Sequence, residues 1–124
     1  MSENHNILNV ALVDDDPSLC RSLGRLLRAA GMQAIAYGSA EAFLADTKQP
    51  RFDCLVLDVR LAGMSGIDLG LWLAAEGNSA PIIYVTAYDD VETRAGAQRA
   101  GCSAYFLKTD PGADVLAAIR RVAG

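Results

Sequence analysis

Short apolar runs alternate with amphipathic stretches along this chain five times over, and residues that end one element and start the next punctuate the boundaries. The first run, Ile7 to Val13, is almost unbroken, as expected of a strand in a parallel sheet covered on both faces. Asp16 then stands before Pro17, an N-cap followed by the favoured first helical residue. In the helix that follows, Leu19, Leu23, Leu26 and Leu27 share one face, Arg21, Arg25 and Arg28 take the solvated one, and Gly31 stops it. Met32 to Tyr37 predicts a second strand, and Ser39 caps a helix that turns Ala42, Phe43 and Leu44 inward and ends towards Pro50. Phe52 to Leu57 predicts a third strand, running straight into Asp58. After a loop with Gly63 and Gly66, the residues Ile67, Leu69, Leu71, Trp72 and Leu73 dominate a third helix closed by Gly77, with Trp72 read as packing. Pro81 opens a fourth strand, Ile82 to Thr86, and Asp89 or Asp90 caps a fourth helix that reaches Ala100 before Gly101. Ser103 to Leu107 predicts a fifth strand with Lys108 at its end, and Asp110 or Pro111 starts a last helix holding Val115, Leu116, Ile119 and Val122.

Strands alternating with helices imply right-handed crossovers and a doubly wound parallel sheet. Ligands of such sheets bind beyond the carboxyl ends of the strands, where the strand order reverses. The residues there are Asp14 and Asp15, Asp58, Thr86 and Lys108. Three carboxylates in a partly desolvated cleft repel one another strongly. Three aspartates and one lysine leave a formal charge of −2, which one divalent cation cancels; with only oxygen ligands on offer, Mg²⁺ is the natural choice. A carboxylate beside such a cation and a lysine is a competent nucleophile toward phosphorus, and the Thr86 hydroxyl can donate to a transferred phosphoryl group. Asp16 is read as a helix cap rather than a ligand.

The combination resembles a receiver domain of two-component response regulators over nearly the whole chain, about Ile7 to Val122. The segments that carry the resemblance are Val13-Asp14-Asp15-Asp16-Pro17, Leu57-Asp58-Val59-Arg60-Leu61-Ala62-Gly63-Met64-Ser65-Gly66, Thr86-Ala87 and Lys108. It implies a flavodoxin-like (βα)5 three-layer sandwich with strand order 2-1-3-4-5. It also implies that Asp58 is the phosphoacceptor and that Asp15, Asp58 and the backbone carbonyl of Arg60 bind Mg²⁺, with Asp14 helping through water. Thr86 would sense the phosphoryl group, Tyr105 would be the aromatic that follows it, and Lys108 would pair with the phosphate. The implied activity is autophosphotransfer and self-dephosphorylation rather than classical enzyme turnover. The implied partners are a sensor histidine kinase or a histidine phosphotransfer protein. The face made by the fourth helix, fifth strand and fifth helix would switch on phosphorylation, with a homodimer as one outcome. Two positions depart from the pattern. Thr109 follows Lys108 where the family commonly has proline, so the loop there is expected to be rebuilt, and Ala62 replaces a frequent proline in the loop after Asp58.

Length and composition narrow the alternatives. The 124 residues suit one domain, 1–124, without disulfide or metal staples. With 52% hydrophobic and 21% charged residues and a net charge of −4, the chain reads as neither disordered nor a nucleic-acid binder. No apolar run reaches the roughly 18 residues of a membrane span, so a cytoplasmic protein is expected. Cys20, Cys54 and Cys102 are widely spaced with no CxxC and read as small core residues, and His5 reads as part of a polar tail. A pseudo-receiver, an interaction module of the same fold that never takes phosphate, is the main alternative. A flavin carrier or aspartyl-phosphate hydrolase is disfavoured, since the first strand's turn lacks a phosphate cradle and the chain has no cap domain. The segment around Asp58 also resembles receivers joined to helix-turn-helix transcription domains.

Overall fold

The computed structural model describes residues 7–123. Five strands and five helices alternate: β1 (Asn9–Val13), α1 (Pro17–Ala29), β2 (Gln33–Tyr37), α2 (Ala40–Ala45), β3 (Cys54–Asp58), α3 (Gly66–Ala75), β4 (Ile82–Thr86), α4 (Val91–Arg99), β5 (Ala104–Leu107) and α5 (Gly112–Ala123). All neighbouring strands pair in parallel, in the order β2-β1-β3-β4-β5, so the expected doubly wound topology is the observed one. The reversal of order falls between β1 and β3, beside the carboxyl ends that carry Asp14 and Asp58.

Side-chain alternation along the strands splits the core in two. Val10, Leu12, Val56 and Ile83 pack with Leu23 and Leu27 of α1 and with Val115 and Ile119 of α5. Their strand neighbours Ala11, Val13, Leu55, Leu57 and Tyr84 face Phe43 of α2 and Leu69 and Leu73 of α3. Every residue of β3 and β4 is buried, which explains why these segments read as continuous apolar runs rather than alternating ones. Tyr37, Phe43 and Phe52 close one end of the second layer; the Tyr37 and Phe43 rings meet edge to face at 5.3 Å.

The caps follow the sequence closely. The Asp16 carboxylate accepts from the N–H groups of Ser18 and Leu19, Ser39 from Ala42, Ser65 from Asp68, and Asp90, rather than Asp89, from Thr93. Helix α2 ends earlier than Pro50 suggests, at Asp46, whose carboxylate instead takes the Tyr37 hydroxyl at 2.7 Å and the Lys48 N–H at 3.1 Å. The first strand begins two residues later than expected, leaving Ile7 exposed.

Helix α3 corrects a further expectation. Its inward stripe is Gly66, Leu69, Gly70 and Leu73, at i, i+3, i+4 and i+7, which leaves Leu71 and Trp72 48% and 45% exposed. Asp68 is the one charged residue of this helix, so the hydrophobic pattern gives little signal for the face it buries. Trp72 therefore lines an open cleft at the amino ends of β3 and β4 instead of packing inside. Cys54 is buried, whereas Cys20 and Cys102 are only half-buried. His5 lies outside the described residues. Among the described residues no helix is long and apolar enough to cross a membrane.

Candidate functional site

Three loops meet at the carboxyl ends of β1, β3 and β5. Asp14 follows β1 and continues its pairing, with its N–H donating to the Tyr37 carbonyl at 3.0 Å. Its side chain is only 4% exposed; Oδ1 accepts from the Asp16 N–H at 2.8 Å and from Lys108 Nζ at 3.0 Å. Asp58 is the last residue of β3 and equally buried. Its Oδ1 accepts from the Arg60 N–H at 3.1 Å and its Oδ2 from Lys108 Nζ at 2.9 Å. Asp15 is exposed beside them, and one carboxylate oxygen from each of Asp14, Asp15 and Asp58 lies within 4.8 Å of the others. The acids that sequence placed at separate strand ends therefore converge with the lysine.

The electrostatics are those of a site with too little positive charge. Burial pushes Asp14 up to about 6 from its ordinary 3.8, and the charge of Asp58 adds to the rise; the Asp16 N–H and Lys108 pull the other way without prevailing. Burial works against the Lys108 ammonium, but its hydrogen bonds to Asp58 and Asp14, and their charges, hold its pKa above the ordinary lysine value. Asp14 Oδ2 is buried without any hydrogen-bond partner. A buried carboxylate oxygen left unsatisfied is costly, and its residue's place in a cluster with two more carboxylates fits a hard divalent cation such as Mg²⁺.

Backbone devices set the acids in place. Gly66 donates to the Val59 carbonyl at 3.1 Å, and a Cβ there would strike the backbone carbonyl oxygen of Asp58. Only glycine lets α3 start so close to the acid. Across the same loop, Glu41 Oε2 accepts from the Met64 N–H at 2.8 Å, which pins the segment where Ala62 stands in place of proline. That N–H, foremost, holds the Glu41 carboxyl below the ordinary range. At β5, Lys108 donates its N–H to the Thr86 carbonyl at 2.8 Å, and Asp110 closes the following turn by accepting from the Leu107 N–H at 2.8 Å. Thr109 thus lies in a turn held by Asp110, and no peptide bond among the described residues is cis.

Thr86 is fully buried one residue beyond Val85, the register partner of Asp58. Its hydroxyl accepts from the Tyr88 N–H at 3.0 Å and donates to the Tyr88 carbonyl at 3.1 Å. Tyr105 pairs with Tyr84 in register, on the sheet face that Thr86 shares. Its hydroxyl is buried without a partner, and the Arg94 guanidinium covers its ring at 4.6 Å. Burial, foremost, raises the Tyr105 phenol above its ordinary pKa.

Two contributors were missed by sequence reasoning. Glu41 reaches Met64 across 23 positions, and the Arg60 side chain reaches Asp90 across 30, so neither leaves a local signal.

Known proteins share this chain's fold and much of its sequence. The family model of the response regulator receiver domain matches residues 10–120. The chain is 38% identical over 111 residues to response regulator protein TmoT of Ectopseudomonas mendocina, covering 90% of this chain and 50% of that protein. It is 37% identical over 110 residues to nodulation protein W of Bradyrhizobium diazoefficiens, covering 89% and 48%. The chain spans about half the length of these curated relatives. Among solved structures, FixJ-N superposes with a TM-score of 0.85 at 31% identity, covering 96% of this chain and 95% of that one. Matched from the second residue of β1 to within the last turns of α5, and sharing both sheet order and residue pattern with these proteins, the chain belongs to the receiver-domain family of two-component response regulators.

Proposed function

We propose that this receiver accepts a phosphoryl group on Asp58 from a sensor histidine kinase or a histidine phosphotransfer protein, acts in the cytoplasm, and loses the group again by self-dephosphorylation. The observation that carries this reading is the convergence of the Asp14, Asp15 and Asp58 oxygens within 4.8 Å around a single ammonium, with Asp14 Oδ2 unpartnered. Asp15, Asp58 and the Arg60 backbone carbonyl would hold Mg²⁺, with Asp14 acting through water. When bound, the ion would neutralise charge on the phosphoryl oxygens and bring the donor's phosphorus into line.

The chain's own residues supply the rest. Asp58 attacks as a carboxylate, so no general base is required; the bond from phosphorus to the donor breaks as the new O–P bond forms. Lys108, already 2.9 Å from Asp58 Oδ2, offers its ammonium to the incoming oxygens. The Arg60 N–H on Oδ1 fixes the rotation of the carboxylate. Thr86 supplies a hydroxyl to the phosphoryl group once it gives up Tyr88, and Tyr105 follows on the same face. The surface of α4, β5 and α5 would then be read by a partner or by a second copy of the chain.

Intact-mass measurement after incubation with acetyl phosphate and Mg²⁺ tests this. Wild type should gain one phosphoryl group, and Asp58→Asn or added EDTA should abolish the gain. No gain on wild type would instead favour a pseudo-receiver that works as a binding module.

A further inference from the structure

The proposed chemistry uses the backbone of Arg60 and leaves its side chain unexplained. The guanidinium extends to the start of α4, where Nη2 donates to Asp90 Oδ2 at 3.0 Å and to Thr93 Oγ1 at 3.2 Å. The same group lies 4.8 Å from the centre of the Tyr88 ring. One residue therefore joins the loop after Asp58 to three residues around the start of α4. Tyr88 is held from its other side too, because the Thr86 hydroxyl engages both its N–H and its carbonyl. Asp90 caps α4 by accepting from the Thr93 N–H at 2.7 Å, so a tether on Asp90 is a tether on the helix.

Two anchors thus fix the segment from Ala87 to Asp90. Binding a phosphoryl group would draw Thr86 away from Tyr88 and release the first, while Arg60 keeps the second. A guanidinium can lie over a ring and bond a carboxylate and a hydroxyl together, which an ammonium does poorly. We infer that Arg60 is a positioning residue, a latch that ties the phosphoacceptor loop to Tyr88, Asp90 and Thr93 and holds the β4–α4 junction in its resting place, so that phosphoryl occupancy of Asp58 works against it. This rests on reading Asp58 as the phosphoacceptor.

Both charged partners are about half exposed, so the combined contacts correspond to a change of about threefold to tenfold in a coupled equilibrium. Amide hydrogen exchange of the full chain without Mg²⁺ or phosphate tests the latch itself. Arg60→Ala should speed exchange between Ala87 and Arg94 by about threefold to tenfold and leave the β1 and β3 amides unchanged. Titration with beryllofluoride at saturating Mg²⁺ tests its consequence: Arg60→Ala should bind about threefold to tenfold tighter, with Arg60→Lys in between. Asp90→Asn keeps the cap but loses the charge, so it should reproduce part of that gain and add nothing to Arg60→Ala. Unchanged exchange in Arg60→Ala, beryllofluoride affinity that stays level or falls, or full additivity with Asp90→Asn would each overturn the latch. A wild type that binds no beryllofluoride would overturn the phosphoacceptor reading and with it the latch's role, even if the exchange result stood.

Discussion

Replacing Asp14 by asparagine removes one charge and almost nothing of the shape. The amide oxygen can still accept from the Asp16 N–H and from Lys108, as Oδ1 does now, and the amide nitrogen takes the place of the unpartnered Oδ2. Asp14 in the fold titrates near 6 instead of 3.8, chiefly because burial penalises its charged form. The fold therefore favours the protonated acid: that stability is fully present below pH 3.8 and is lost as pH rises through about 6. Each pKa unit corresponds to about 1.4 kcal/mol, so the ceiling is about 3 kcal/mol, and relaxation of so tightly coupled a site leaves about 1–2 kcal/mol. Asparagine resembles the protonated acid at every pH, so Asp14→Asn should be more stable than wild type by about 1–2 kcal/mol at about pH 7.5 without metal. Urea unfolding in EDTA, followed by circular dichroism across pH, measures it; the gap should open between about pH 4 and 6 and stay level above about pH 7. With Mg²⁺ present at about 100 times its dissociation constant, wild type should gain about 2.7 kcal/mol and the variant less. A variant no more stable than wild type at neutral pH in EDTA would refute the claim that these acids are held at the expense of the fold.

Lys108→Met leaves Asp14 and Asp58 buried without their shared ammonium, so the metal-free protein should lose about 2–4 kcal/mol in urea unfolding, with Mg²⁺ restoring part of it. Phosphoryl uptake from acetyl phosphate should slow about a hundredfold in the same variant, as measured by timed intact mass. Gly70→Ala would drive a Cβ into the Tyr84 hydroxyl and should cost about 1–3 kcal/mol. Tyr84→Phe alone gives up one long hydrogen bond, 3.4 Å to the Gly66 carbonyl, and the Gly70→Ala/Tyr84→Phe double variant should recover most of the loss. Thermal unfolding of all three checks this, and costs that simply add would contradict it.

Much of the fold was legible because its signals are local. A strand buried on both faces reads as an apolar run, as Val10 to Val13 and Leu55 to Leu57 do, and Asp16, Ser39 and Ser65 cap the helices they precede. The acidic site was legible for a topological reason, since parallel strands deliver their carboxyl ends to one edge. What escaped lacks such a signal. Leu71 and Trp72 belong to a helix whose one charged residue is Asp68 and whose buried side is chosen by glycines that admit Tyr84 and the Asp58 backbone. Arg60 and Glu41 act on partners far along the chain.

The charges of this cleft are not equally rooted. The two buried aspartates stand on interior strands flanked by neighbours on either side, whereas the ammonium is borne by β5, which pairs with β4 alone and whose four residues are all half-buried. Fluctuations in a sheet begin at its margins and reach the middle last. The countercharge is therefore carried by the strand expected to open first, while the acids are held by the middle of the sheet.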